Sequence, residues 1–64
     1  MSHYVMVIDV LSNVSFVGPF DTETGAHGYC DTLNPDFDTT VLTESEMEAN
    51  IKEFGPAPIE RPLQ

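Results

Sequence analysis

Apolar residues run almost unbroken from Tyr4 to Leu11 (YVMVIDVL), a stretch rich in β-branched and aromatic types and too short for a stable helix, so it reads as a strand. Tyr4, Met6, Ile8 and Val10 fall on one face, and Val5, Val7, Asp9 and Leu11 on the other. Apolar groups on both faces suit a strand in the middle of a sheet, or one whose second face is covered by another segment or subunit. Ser12-Asn13 supplies turn chemistry, with Asn13 suited to the left-handed backbone of a tight hairpin. The next strand, Val14 to Val17, pairs antiparallel with the first and ends at Gly18-Pro19, because proline has no N–H to give a ladder.

A helical rhythm follows. Asp21 is placed to cap its start, Glu23 complements the positive helix end, and Phe20 stands where a hydrophobic staple would. Ala26, Tyr29, Cys30 and Leu33 recur at helical spacing, while Thr24, His27 and Asp31 face away. Gly25 and Gly28 each cost a helix up to about 1 kcal/mol relative to alanine, so this one depends on packing against the sheet. Asn34 suits the position after a helix and Pro35 prevents continuation. From Asp36 to Thr43 the pattern alternates again, with Phe37, Thr39 and Val41 opposite Asp38, Thr40 and Leu42, which predicts a third strand. A crossover helix between two strands of one sheet makes those strands parallel.

Thr43-Glu44-Ser45-Glu46 matches a capping box, Met47, Ile51 and Phe54 share a face, and Gly55-Pro56 is a stop signal, so a second helix is expected over Glu44 to Phe54. Its narrow apolar stripe suits either the open sheet face or a partner. The remaining PAPIERPLQ is an extended or mobile segment. Together these elements predict an α+β domain of order ββαβ(α) over residues 1–55, a three-stranded sheet packed on one helix, with a flexible proline-rich tail over residues 56–64.

Charge changes this picture more than composition does. Apolar residues make up 41% of the chain, enough for a folded domain, but eleven Asp and Glu face only Lys52 and Arg61, a formal charge of −9. Affinity for nucleic-acid phosphates rests on Lys and Arg releasing counterions, so direct DNA or RNA binding is excluded, and anionic membranes are disfavoured for the same reason. A basic partner protein is the complement. The competing reading is that the charge only keeps the chain soluble. A single cysteine, Cys30, permits no internal disulfide, and no secretory leader or membrane-length apolar run is present, so the expected compartment is the cytoplasm.

Candidate chemistry is sparse. His27 and Cys30 lie three apart on the predicted helix, a spacing at which metal ligands can converge, but the further nitrogen donor, His3, is far away, and the periodicity puts Cys30 inside and His27 in solvent. A Cys-His nucleophile needs an accessible, low-pKa thiolate, and Asp36 with Asp38 reads more simply as a solvated edge than as a hydrolase dyad. Glu44, Glu46 and Glu48 lack the glycine and ligand ladder of a calcium loop. No catalytic residue, metal or cofactor is therefore assigned, and the chain is expected not to be an enzyme. The sharper use of the acids is imitation of nucleic-acid phosphates toward a basic groove. Asp36, Asp38, Glu44, Glu46 and Glu48 form the densest series for that role.

The FVGPFDTETGAHGYCDTL segment, within Ser15 to Thr43, resembles small tailed-bacteriophage proteins in which a strand ends in Gly-Pro-Phe and feeds a short amphipathic helix. It also resembles one half of a SPOR domain, a peptidoglycan-binding ferredoxin-like module. The phage resemblance implies a small accessory protein in the host cytoplasm that binds and alters a host enzyme. The SPOR resemblance implies glycan binding. A further alternative is a structural protein that self-associates, as a homodimer for example, through the sheet face around Val5, Val7 and Leu11.

Overall fold

In the computed structural model, which describes residues 2–62, the chain runs as β1 (His3–Ile8), β2 (Val14–Phe20), α1 (Glu23–Cys30), β3 (Asp38–Thr43), α2 (Glu44–Phe54) and β4 (Ile59–Glu60). Among the described residues these strands form one mixed four-stranded sheet in the order β3-β1-β2-β4. The fold is α+β with a second helix over Glu44–Phe54, both as expected, but the three-stranded sheet is corrected to four strands. The fourth strand comes from the segment read as a tail. Phe16 N donates to Pro58 O at 2.8 Å, and Ile59–Glu60 then pairs parallel with Phe16 and Val17 of β2. Gln64 and its neighbour at 63, also assigned to that tail, lie outside the described residues. The radius of gyration is 10.9 Å, against about 11 Å for a folded chain of this length, so the described elements pack as one body.

β1 is the central strand that its two apolar faces called for, antiparallel to both β2 and β3. β2 and β3 therefore run parallel to each other, as the crossover through α1 requires, with β1 between them. Strand alternation sends Tyr4, Phe16 and Leu42 to one face, where Met47 and Ile51 of α2 cover them. Val5, Val7, Val17 and Val41 go to the other, beneath Ala26, Tyr29 and Cys30 of α1. The sheet is thus a middle layer between two helices. Of the residues around which self-association was expected, Val5 is fully buried and Val7 nearly so, whereas Leu11 is exposed.

Several boundaries differ from the sequence reading for local reasons. β1 stops at Ile8 because Asp9 turns its carboxylate back on the hairpin, where Oδ1 accepts from Leu11 N at 2.8 Å and Asn13 N at 3.0 Å. Ser12, not Asn13, takes the positive φ of 66°. β2 does not end at Gly18-Pro19. His3 pairs with Phe20 but Val5 with Val17, so Gly18 and Pro19 both oppose Tyr4 as a bulge and the strand continues. Thr22, not Asp21, caps α1, accepting from Gly25 N at 3.0 Å. Phe20 still packs near the helix, its ring 5.4 Å from that of Tyr29.

α1 has eight residues, well below the length at which an isolated helix is stable, and it persists because Ala26 is wholly buried against the sheet. It ends at Cys30, short of the expected Leu33. Asn34 organises the next turn instead of the helix end, with Asn34 Oδ1 accepting from Asp36 N at 2.9 Å and Asn34 O from Phe37 N at 3.0 Å. β3 then passes into α2 without a loop. Thr43 Oγ1 accepts from Glu46 N at 3.2 Å, and Glu46 Oε1 accepts from Thr43 N at 3.0 Å, the expected capping box.

Candidate functional site

The five acids of the mimicry reading are all exposed, but the fold does not align them in one row. Asp36 lies in the turn before β3, not on its face, whereas Asp38 opens β3 opposite Ile8. Glu44 follows the other end of that strand, six residues on from Asp38 and therefore about 20 Å along the backbone. Within α2, at about 100° per residue, Glu44 and Glu48 share one flank and Glu46 falls on the opposite one with Glu53. Glu46 is also engaged in the capping box. The result is a negative field around α2 and at both ends of an edge strand, rather than a ladder at phosphate spacing.

This field is not neutralised locally. Among the described residues the one contact between a basic and an acidic side chain is His27 Nε2 with Glu23 Oε1 at 3.4 Å, on the outer side of α1, an ion pair only when His27 carries a proton on both ring nitrogens. His27 and Cys30 are separated as the periodicity places them: His27 is solvent-exposed, and Cys30 packs with Phe20, Tyr29 and Leu33 around the buried valines. Among the described residues no three His, Cys, Asp or Glu side chains come together in a metal-binding group. Asp9 is held below its ordinary carboxylate pKa, chiefly by the backbone hydrogen bond from Asn13; desolvation opposes this, and the bonds from Leu11 N and the Asn13 side chain lower it further.

A feature that the sequence reading did not single out is an apolar cleft of about 500 Å³ at the hairpin end of the sheet. Met6 and Phe16 line it from the sheet, Ile8 and Val14 from the hairpin, Phe54 from the last turn of α2, and Ala57 from the segment leading to β4. Such a volume lies within the range of ordinary ligand and side-chain pockets. Its rim is unusually apolar for a surface: Phe54 is 77% exposed and Val14 38%, and at the adjoining turn Val10 and Leu11 are 67% and 78% exposed. The sequence reading placed Phe54 on the covered face of α2 with Met47 and Ile51. Met47 is buried there and Ile51 is partly buried, but Phe54, in the last turn, is left mostly exposed. Val10 and Leu11, whose pattern predicts a strand, stand instead in the turn.

Among the described residues no helix is long and apolar enough to cross a membrane. Comparison with known proteins returns no matching family model, no matching curated protein and no matching solved structure.

Proposed function

We propose that this chain is a small non-enzymatic binding module that docks on a basic partner protein in the cytoplasm. In its specific form, it is a phage-encoded modulator of a host nucleic-acid-binding enzyme. The observation that carries this reading is the unneutralised charge. All of Asp36, Asp38, Glu44, Glu46 and Glu48 are exposed, and among the described residues none takes part in a salt bridge. A net charge of −9 on 64 residues raises the encounter rate with a positively charged surface and repels both nucleic acid and a second copy of the chain. Because the acids surround α2 instead of forming a ladder, the reading favours complementarity to a basic surface over literal imitation of a phosphate backbone.

The test is affinity capture from a bacterial lysate with the intact chain immobilised, at about 0.1 M and about 1 M salt, where the Debye length falls from about 10 Å to about 3 Å. A basic protein retained at the lower salt and released at the higher supports the reading. A partner that is acidic, or that is held equally well at both, overturns it.

A further inference from the structure

We infer that the cleft between the β1–β2 hairpin and the end of α2 is the anchoring point of the partner, and that its occupant is a Lys- or Arg-rich segment carrying one large apolar side chain. This deepens the proposal that the protein binds a basic partner and rests on it. The cleft supplies an apolar seat, with Met6 and Phe16 as its floor and Phe54 and Val14 standing exposed at its mouth. Interface hot spots have this form, a side chain entering a desolvated pocket whose rim excludes water.

Charge around that mouth is complementary to a basic segment. Asp38 pairs across the sheet with Ile8, a lining residue, and so stands on the same face at the cleft edge. Glu53 precedes Phe54 in the last turn, on the flank of α2 that also carries Asn50 into the lining. The carbonyl end of α2 adds the partial negative charge of its dipole at the same place, where cations are favoured. Neither Lys52 nor Arg61 lines the cleft. A second copy of the chain is a poor occupant, because it would bring another −9 charge to a negatively charged rim.

The test uses the intact chain, uniformly ¹⁵N-labelled, and three short synthetic peptides: a Lys/Arg-rich one with a single Phe, the same peptide with Ala in place of Phe, and the same Phe peptide with its basic residues replaced by Gln. The first is expected to perturb the amides of Ile8, Val14, Phe54 and Ala57 and to bind at least about tenfold more tightly than either control. Phe54→Ala should weaken it by a similar factor while leaving the rest of the amide spectrum intact, since that side chain is mostly exposed, and Val14→Ser provides a second variant.

Basic peptides that bind equally with Phe or Ala, with shifts around Glu44 and Glu48, overturn the cleft as anchor but leave the basic-partner reading standing. A Gln peptide that binds as well as the basic one shows an indiscriminate apolar pocket and overturns the proposed occupant. Failure of every basic peptide to bind overturns the inference and counts against the proposed function as well. Concentration-dependent dimerisation abolished by Phe54→Ala assigns the cleft to a second copy and overturns it too.

Discussion

Replacing Gly18 with alanine and comparing it with the same change at Gly28 tests how the sheet is built. An added Cβ at Gly18 would stand 2.6 Å from Tyr4 Cδ2 and 3.0 Å from both Tyr4 Cε2 and the His3 carbonyl oxygen. None of these can yield cheaply. The Tyr4 ring is held among Phe16, Leu42 and Met47, and the His3 carbonyl belongs to the central strand. The backbone at Gly18 also has φ of +159°, in a region that L-residues rarely adopt. Overpacking costs about 1–3 kcal/mol and the disfavoured backbone about 1 kcal/mol or more, giving an expected loss of about 2–4 kcal/mol. A domain of 64 residues has roughly 3–10 kcal/mol in total, so G18A should lower the melting temperature by ~10 °C or more and sits close to unfolding the protein. Gly28 has nothing within 4 Å of its virtual Cβ and lies inside α1, so G28A should stabilise by up to about 1 kcal/mol. Urea unfolding followed by circular dichroism measures both. A G18A unfolding free energy within about 0.5 kcal/mol of the parent refutes the bulge geometry.

The remaining expectations concern the cap, the hairpin and the last strand. Thr43→Ala removes the hydroxyl that accepts from Glu46 N, and should cost about 1 kcal/mol in urea unfolding, with Thr43→Ser recovering most of it. The folded pKa of Asp9 is lowered, so its stabilisation is present above the ordinary Asp value of about 3.9 and is lost as pH falls through the lower folded value. The Leu11 and Asn13 amides should therefore shift together below about pH 4, and Asp9→Asn should abolish that transition. Deleting the chain from Ala57 onward strips the Pro58 acceptor from Phe16 N and uncovers a side chain now 2% exposed. A loss of about 1–3 kcal/mol and faster exchange of the Phe16 amide are expected, and unchanged stability would refute β4 as part of the fold.

Local chemistry made much of this architecture legible. The capping box at Thr43 and Glu46 names its own hydrogen bonds, and the two apolar faces of Tyr4 to Ile8 demand neighbours on both sides, which β2 and β3 supply. The helical spacing of Ala26, Tyr29 and Cys30 correctly gave the face that meets the sheet. What escaped was set by contacts distant in sequence. Ile59–Glu60 is too short and too proline-flanked to register as a strand, and it exists because the outer edge of β2 offers Phe16 N as a donor to Pro58 O. The continuation through Gly18-Pro19 depends on Tyr4 absorbing two opposing residues, which no property of β2 alone announces. The acids are a different case, set by local helix geometry. Glu44, Glu46 and Glu48 are close in sequence, but two-residue steps on a helix place successive ones on opposite flanks.

The cleft follows from a mismatch of lengths. Eleven residues of α2 rise about 16 Å, whereas the six of β1 extend about 20 Å and the hairpin turn projects further. α2 starts at the Thr43 end of the sheet, over Tyr4 and Leu42, and so runs out before it can cover Ile8 and Val14. Gly55 fixes that endpoint: its φ of 99° turns the chain aside where most side chains would be strained, and Pro56 prevents another helical turn. The returning segment then closes one wall through Ala57 and Pro58 and leaves the mouth open. The same Gly-Pro stop that marks the end of α2 in the sequence is therefore what keeps Phe54 in solvent beside an unfilled apolar surface.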